Sequence, residues 1–150
     1  MLSQIPFRDN DRCLLLWIPE IAAVEALSKR LSRGILVALG DDDAVRAARR
    51  AASHLENVMF VNASAEEIPW RDNLFTVIAA QIDDWPSPSH AVRELTRVLE
   101  PEGRLYLEEC RFPDRLLEAG FRAIDTTNRA FRLEKAPLRP AAVHLPVLRG

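Results

Sequence analysis

Carboxylates gather in this chain where its apolar runs stop. Glu20 follows RCLLLW (12–17), Asp41, Asp42 and Asp43 follow ILVAL (35–39), Asp83 and Asp84 follow FTVIAAQ (75–81), and Glu108 and Glu109 lie near the end of RLYLEEC (104–110). A crevice rimmed by such groups would favour a cation or a basic peptide and repel phosphates. Taken singly they read as solvated loop charges and helix caps. Asp83, Asp84 and His90 have the atom types of a metal site but not the ligand spacing of one, and no metal is expected. Ser87 or Ser89, close to His90, reads as a helix cap. Cys13 and Cys110 fall in apolar runs, where a thiol is a small inert hydrophobe. No Cys–His–Asp order marks a nucleophile, so no catalytic residue is assigned. His54 and His144 read as surface residues, and Arg46, Arg49 and Arg50 as the solvated face of one helix.

The apolar runs are short and alternate with helical periods. Residues 12–17 read as a buried strand, and Pro19 opens a helix whose apolar stripe lasts to about residue 31, where Gly34 stops it. A second strand, 35–39, leads through Gly40 into a helix begun by Asp41–Asp43 and reaching Leu55. Strands are predicted at 58–62 and 75–81. Pro86 to Ser89 open a helix with apolar residues at 91, 92, 95, 98 and 99, and Glu100 to Gly103 form a turn. A strand at 104–110, a short helix at 113–119 and a tight pair of strands, 121–127 and 130–135, complete the pattern. Residues 136–150 hold three prolines and are expected to run irregularly over the surface. Strands separated by helices predict βαβ units, hence a doubly wound, mostly parallel α/β sheet in one domain with an antiparallel edge.

Composition narrows the function classes. The 150 residues are 48% hydrophobic and 28% charged, which suits a folded domain. Twenty basic groups face 22 acidic ones, a balance that excludes a strongly basic nucleic-acid binder. Residues 1–110 carry 12 basic and 18 acidic groups, and 111–150 carry 8 and 4. Two cysteines make no disulfide scaffold, no run is long enough to span a membrane and no leader pattern is present, so a cytoplasmic protein is expected.

Several segments, in order, resemble the class I S-adenosylmethionine-dependent methyltransferases of the type 11 kind, over roughly residues 12–135. They are Leu55-Glu56-Asn57-Val58, Ala65-Glu66-Glu67-Ile68-Pro69 with Asp72-Asn73-Leu74-Phe75, Ala91 to Leu95 with Arg97-Val98-Leu99, Pro101-Glu102-Gly103-Arg104-Leu105, and Leu116 to Phe121. The resemblance implies a Rossmann-like, seven-stranded sheet in the order 3-2-1-4-5-7-6.

The positions that hold the cofactor in that family depart from its pattern. The acidic residue of its first glycine-rich loop falls on Leu15, and the three glycines on Trp17, Pro19 and Ile21. The carboxylate that holds the ribose falls on Leu39, the residue that contacts the adenine amine on Ser64, and the Phe-Asp before strand four reads Phe75-Thr76. A glycine-free loop denies the backbone its close approach to a ligand, and Trp17 is expected to fill the cleft. The expected function is therefore a methyltransferase-like protein without S-adenosylmethionine, acting as a binding, scaffolding or regulatory subunit with a protein partner or as a homodimer. The expected dimer surface is the edge made by the last two strands, with Phe131 and Leu133 on one face, and the tail bearing Arg139 and Arg149. Two alternatives stand beside it. One is an active methyltransferase for a small molecule in which Asp41 or Asp42 takes the ribose role. The other is a crevice for some other small molecule. No nucleic acid or membrane partner is expected.

Overall fold

A computed structural model of the protein describes residues 1–135. A short 3-10 turn (Leu2–Gln4) precedes β1 (Arg12–Leu15), α1 (Ile21–Arg30), β2 (Ile35–Gly40), α2 (Asp42–Ala51), β3 (Val58–Asn62) and β4 (Phe75–Ile82). There follow α3 (Pro88–Val98), β5 (Leu99–Glu109), α4 (Pro113–Glu118), β6 (Phe121–Ala123) and β7 (Ala130–Leu133). The seven strands form one sheet in the order β3-β2-β1-β4-β5-β7-β6. β1 to β5 run parallel, and β7 is antiparallel to both β5 and β6.

Alternation along the strands divides the core in two. Cys13 and Leu15 face α1 and α2, packing with Val24, Leu27 and Val45. Leu14, Val37, Leu39 and Ile78 face the other way, against α3, α4 and the link between β3 and β4, through Leu95, Leu116 and Ile68.

At the amino end of the sheet Asp11 is 2% exposed. Its carboxylate accepts hydrogen bonds from the Arg8 amide at 2.7 Å, the Thr76 hydroxyl at 2.8 Å and Arg104 Nη2 at 2.7 Å. Gly34 lets the chain pass directly over the Asp11 carbonyl, which any Cβ there would overlap.

Five expectations change. α2 stops at Ala51 instead of reaching Leu55, and the chain turns over 52–54. β1 is assigned only to Leu15, although the Leu16 amide still bonds the Ala79 carbonyl at 3.0 Å before the chain turns away toward α1. Glu100 to Gly103 do not interrupt the strand: Phe75 pairs with Leu99 and Val77 with Arg104, so the intervening residues form a bulge inside β5, with Glu102 at φ 67°. The strand predicted over 121–127 stops at Ala123, because Asp125 accepts from the Arg129 and Ala130 amides and from the Thr127 hydroxyl, closing a turn. The predicted apolar edge face is inside the protein. β7 lies between β5 and β6, and Phe131 and Leu133 are 0% exposed in the α3–α4 core, so they cannot form a dimer surface. The expectations for residues 136–150, including Arg139, His144 and Arg149, lie outside the described residues. Among the described residues no helix is long and apolar enough to cross a membrane.

Candidate functional site

The carboxyl ends of β1, β2 and β3 open into a cleft of about 1010 Å³. This is where open α/β sheets generally take ligands. Leu16, Leu39 and Gly40 line one side, the β3–β4 link from Asn62 to Pro69 another, and Trp85 and Pro86 a third. The wall formed by β1 and β2 is apolar. Leu39, in the ribose-holding position of the resemblance, is 1% exposed and belongs to the core beneath. Gly40 beside it lines the cleft, and on its Cβ side a side chain has no room, since a Cβ there would stand 2.7 Å from Ile18 Cδ1. The link from β1 to α1 thus lays a branched side chain against the end of β2.

The resemblance also predicted a tryptophan in this cleft, and that does not hold. Leu16 lines the cleft, whereas Trp17 packs with Ile18 and Ile21 against the α1–α2 core on the opposite face of the sheet. Alternation past Leu15 turns consecutive side chains to opposite faces, and the steric part of the expectation falls with it. Leu15 is fully buried in the α1–α2 core, Pro19 is half-buried, and Ile21 is the first residue of α1.

On the far side, Ser64 is exposed in the cleft wall and forms an isolated bridge with Glu67. Two residues that drew no role from sequence reasoning hold this wall in place. Glu94 accepts the Ile68 amide at 2.7 Å, and Arg97 donates to the carbonyls of Ile68 at 2.8 Å and Trp70 at 2.6 Å. Arg97 also bonds Glu94 at 2.8 Å and Asp72 at 3.1 Å. The Arg97 hydrogen bond, opposed by some desolvation, holds the Glu94 carboxyl below its ordinary range. The signal in the sequence was their opposite charge at a spacing of three on a helix, which places both on one face.

The carboxylates predicted to rim a crevice take separate roles. Asp41 lines the cleft, but its Oδ1 accepts the Ala44 amide at 2.8 Å as the N-cap of α2. Asp42 and Asp43 pair with Arg46 at 2.7 and 2.6 Å. Glu66 lines the cleft and accepts the Ser87 amide at 3.2 Å. Ser87 holds the N-cap position of α3 without a side-chain cap bond, contrary to expectation. Asp83 is no solvated loop charge: it is 1% exposed and accepts the Arg111 and Phe112 amides, each at 2.7 Å, tying β4 to the start of α4. Glu109 pairs with Arg111 at 3.0 Å. Cys110 lies just past β5, half-buried with Sγ 3.4 Å from Asp83; burial first, and that carboxylate second, push its thiol up to about 12. Such a thiol is not a nucleophile near neutral pH. Among the described residues no group of three or more His, Cys, Asp or Glu side chains could hold a metal.

Comparison with known proteins agrees with the geometry. The family model described as "Methyltransferase domain" matches residues 22–107. The ubiquinone/menaquinone biosynthesis C-methyltransferase UbiE of Pseudomonas putida (strain GB-1) is 38% identical over 77 residues, which cover 50% of this chain and 29% of that enzyme. The chain therefore spans less than a third of the length of this relative. Among solved structures, an S-adenosylmethionine-dependent methyltransferase from Aquifex aeolicus superposes with TM-score 0.70 at 20% identity, covering 87% of this chain and 84% of that one. A methyltransferase solved in complex with the Trm112 methyltransferase activator of Haloferax volcanii gives TM-score 0.69 at 17% identity, covering 83% of this chain and 67% of that one. These two likenesses concern the fold.

Proposed function

From the premise that this chain belongs to the class I S-adenosylmethionine-dependent methyltransferase family, we propose that it is a non-catalytic member that does not hold the cofactor. On this reading it acts in the cytoplasm as a binding, scaffolding or regulatory subunit for a protein partner. The observation that carries the reading is the end of β2, where Leu39, in the ribose-holding position of the resemblance, is 1% exposed and belongs to the core. S-adenosylmethionine brings a ribose diol, and a site that holds it needs an acceptor at that point. Here an apolar side chain stands instead. Each buried polar contact removed from a ligand costs about 1–3 kcal/mol, enough in combination to abolish useful affinity. Trm112 is described as an activator in the Haloferax volcanii complex, so a protein-bound role has a precedent on this fold. A fold, moreover, fixes no chemistry of its own.

The open cleft supports a second reading, an active S-adenosylmethionine-dependent methyltransferase for a small molecule using an atypical site. In that case Asp41, at the cleft wall, would have to serve the ribose while capping α2. Titration calorimetry of the protein with S-adenosylmethionine and with S-adenosylhomocysteine separates the two. No binding is expected, and a dissociation constant below about 100 μM for either, roughly −5.5 kcal/mol, overturns the first reading.

A further inference from the structure

α3 serves two different surfaces. Glu94 and Arg97 face the cleft, whereas Val92, Arg93 and Thr96 line a separate groove of about 650 Å³ whose other wall is α4, through Arg115 and Glu118. Phe112, whose ring lies against the Arg115 side chain of its wall, is 36% exposed, among the few large hydrophobic side chains left in solvent. The groove is therefore apolar within and cationic at its margins. The Arg115 guanidinium lies 4.0 Å from the Phe112 ring centroid, stacked on an apolar neighbour rather than on a carboxylate. Neither Arg93 nor Arg115 makes an ion pair among the described residues. One carboxylate, Glu118, stands against them.

We infer that the α3–α4 groove docks an acidic, apolar-anchored segment of a partner protein. The charge complementarity is local, because the whole chain carries a net charge of −2 and would otherwise repel an acidic ligand. An amphipathic segment laid between the two helices would place apolar side chains, one turn apart, over Val92, and its flanking carboxylates against the two arginine forks. α3 has 11 residues, a length of about 16 Å, enough for roughly three turns of such a segment. The inference concerns the far side of α3 from the cleft and holds whether or not the cleft binds a cofactor.

The test uses the full chain and a fluorescent amphipathic peptide of about fourteen residues, or four turns, with leucine along one face and glutamate on the other. One control replaces every glutamate by lysine, and another every leucine by serine. Fluorescence anisotropy should show the leucine–glutamate peptide binding at least about tenfold more tightly than either control. The double variant Arg93→Glu/Arg115→Glu should lose at least about tenfold for that peptide and gain for the lysine one, with an unchanged circular dichroism spectrum. Equal affinity for the three peptides, or unchanged affinity in the double variant, overturns the proposal. A photo-crosslinking residue in place of Thr96 then identifies the occupant. Cross-linking to the peptide supports the proposal, while cross-linking to this chain's own residues 136–150 or to a second copy overturns it.

Discussion

The two ends of the sheet handle charge in opposite ways. At the amino end Asp11 is buried with three hydrogen-bond donors around it, and Arg104, packed beside it, is nearly as inaccessible. At the carboxyl end β1 closes on Leu15 and β2 on Leu39 and Gly40, all uncharged, and the charged groups stand on the loops and helices around them. The amino end stabilises the fold with a complete polar network inside it. The carboxyl end offers a cleft in which Asp41, Glu66 and Glu94 already bind this chain's own amides, while Glu67 stands exposed in the lining. In a family whose ligand sits at the carboxyl end, that contrast separates what the fold requires from what a ligand requires, and here the polar groups follow the fold.

The largest effect that would test the contrast is at Asp11. Asp11→Ala leaves the Arg104 guanidinium buried without its partner and removes the acceptor of the Thr76 hydroxyl. Breaking one half of a buried ion pair typically costs about 3–5 kcal/mol, and urea denaturation should show a loss of that size. A loss below about 1 kcal/mol, as at a surface pair, would mean that the two ends are not built differently after all.

Next comes Arg97, which sharpens the comparison from the cleft side. Arg97→Ala removes the donors that hold the Ile68 and Trp70 carbonyls and frees Glu94. Hydrogen bonds from a charged group are worth about 1.5–3 kcal/mol, so a destabilisation of about 2 kcal/mol is expected. Amide hydrogen exchange should accelerate at Ile68 first, because its amide donates to Glu94. Uniform acceleration over the whole sheet would show that the wall is not an independently held element.

The two ends also differ in how far they could be read from the sequence. The parallel strands and their helices were legible because each alternation is strong and each helix has a stop, as at Gly34 after α1. The apolar end of β2 was legible too, since it needs only the residue type at Leu39. Trp17 was misplaced, because one residue of phase past the end of β1 decides which face of the sheet a side chain meets. Asp11, Glu94 and Arg97 drew no structural role from the sequence, and Asp83 was read as a loop charge rather than a buried acceptor. Their partners are remote in the chain: Arg104 for Asp11, the Arg111 amide for Asp83, the Ile68 amide and carbonyl for Glu94 and Arg97. Pairings of that range follow from topology, which no local pattern contains.

Acid should weaken both ends. At Asp11, burial opposes the charge, yet the Arg8 amide, Arg104 and Thr76 outweigh it and keep the folded carboxyl below its ordinary 3.8. Glu94, through Arg97, likewise sits below 4.5. A carboxyl lowered on folding contributes its full stability above the unfolded value and loses it as the pH falls through the folded one. The contribution of these two groups should therefore be constant from about pH 7 to 5.5 and decline below about pH 4. In Asp11→Asn the decline should be shallower, and an identical decline in the wild type and the variant would remove Asp11 from the account.

The smallest effect is the most informative for the cleft. Asp41 stands at the cleft wall and caps α2 through the Ala44 amide. If capping is its role, Asp41→Ala costs about 1 kcal/mol and Asp41→Ser or Asp41→Asn almost nothing, because each restores a side-chain acceptor for the amide. If instead its carboxylate serves a cofactor ribose, Asp41→Ala and Asp41→Ser both abolish S-adenosylmethionine binding, since a hydroxyl cannot replace the charge. Thermal melts of the three variants, with and without S-adenosylmethionine, separate these outcomes. A ligand that binds only the folded protein raises its melting temperature by mass action, so the wild type must show such a rise before Asp41 can be given the ribose role. The expected result is no rise in any variant or in the wild type, with Asp41→Ala alone melting lower. A rise in the wild type that Asp41→Ser removes would transfer Asp41 from the fold to the ligand, and the contrast between the two ends of the sheet would fail at the carboxylate that follows β2.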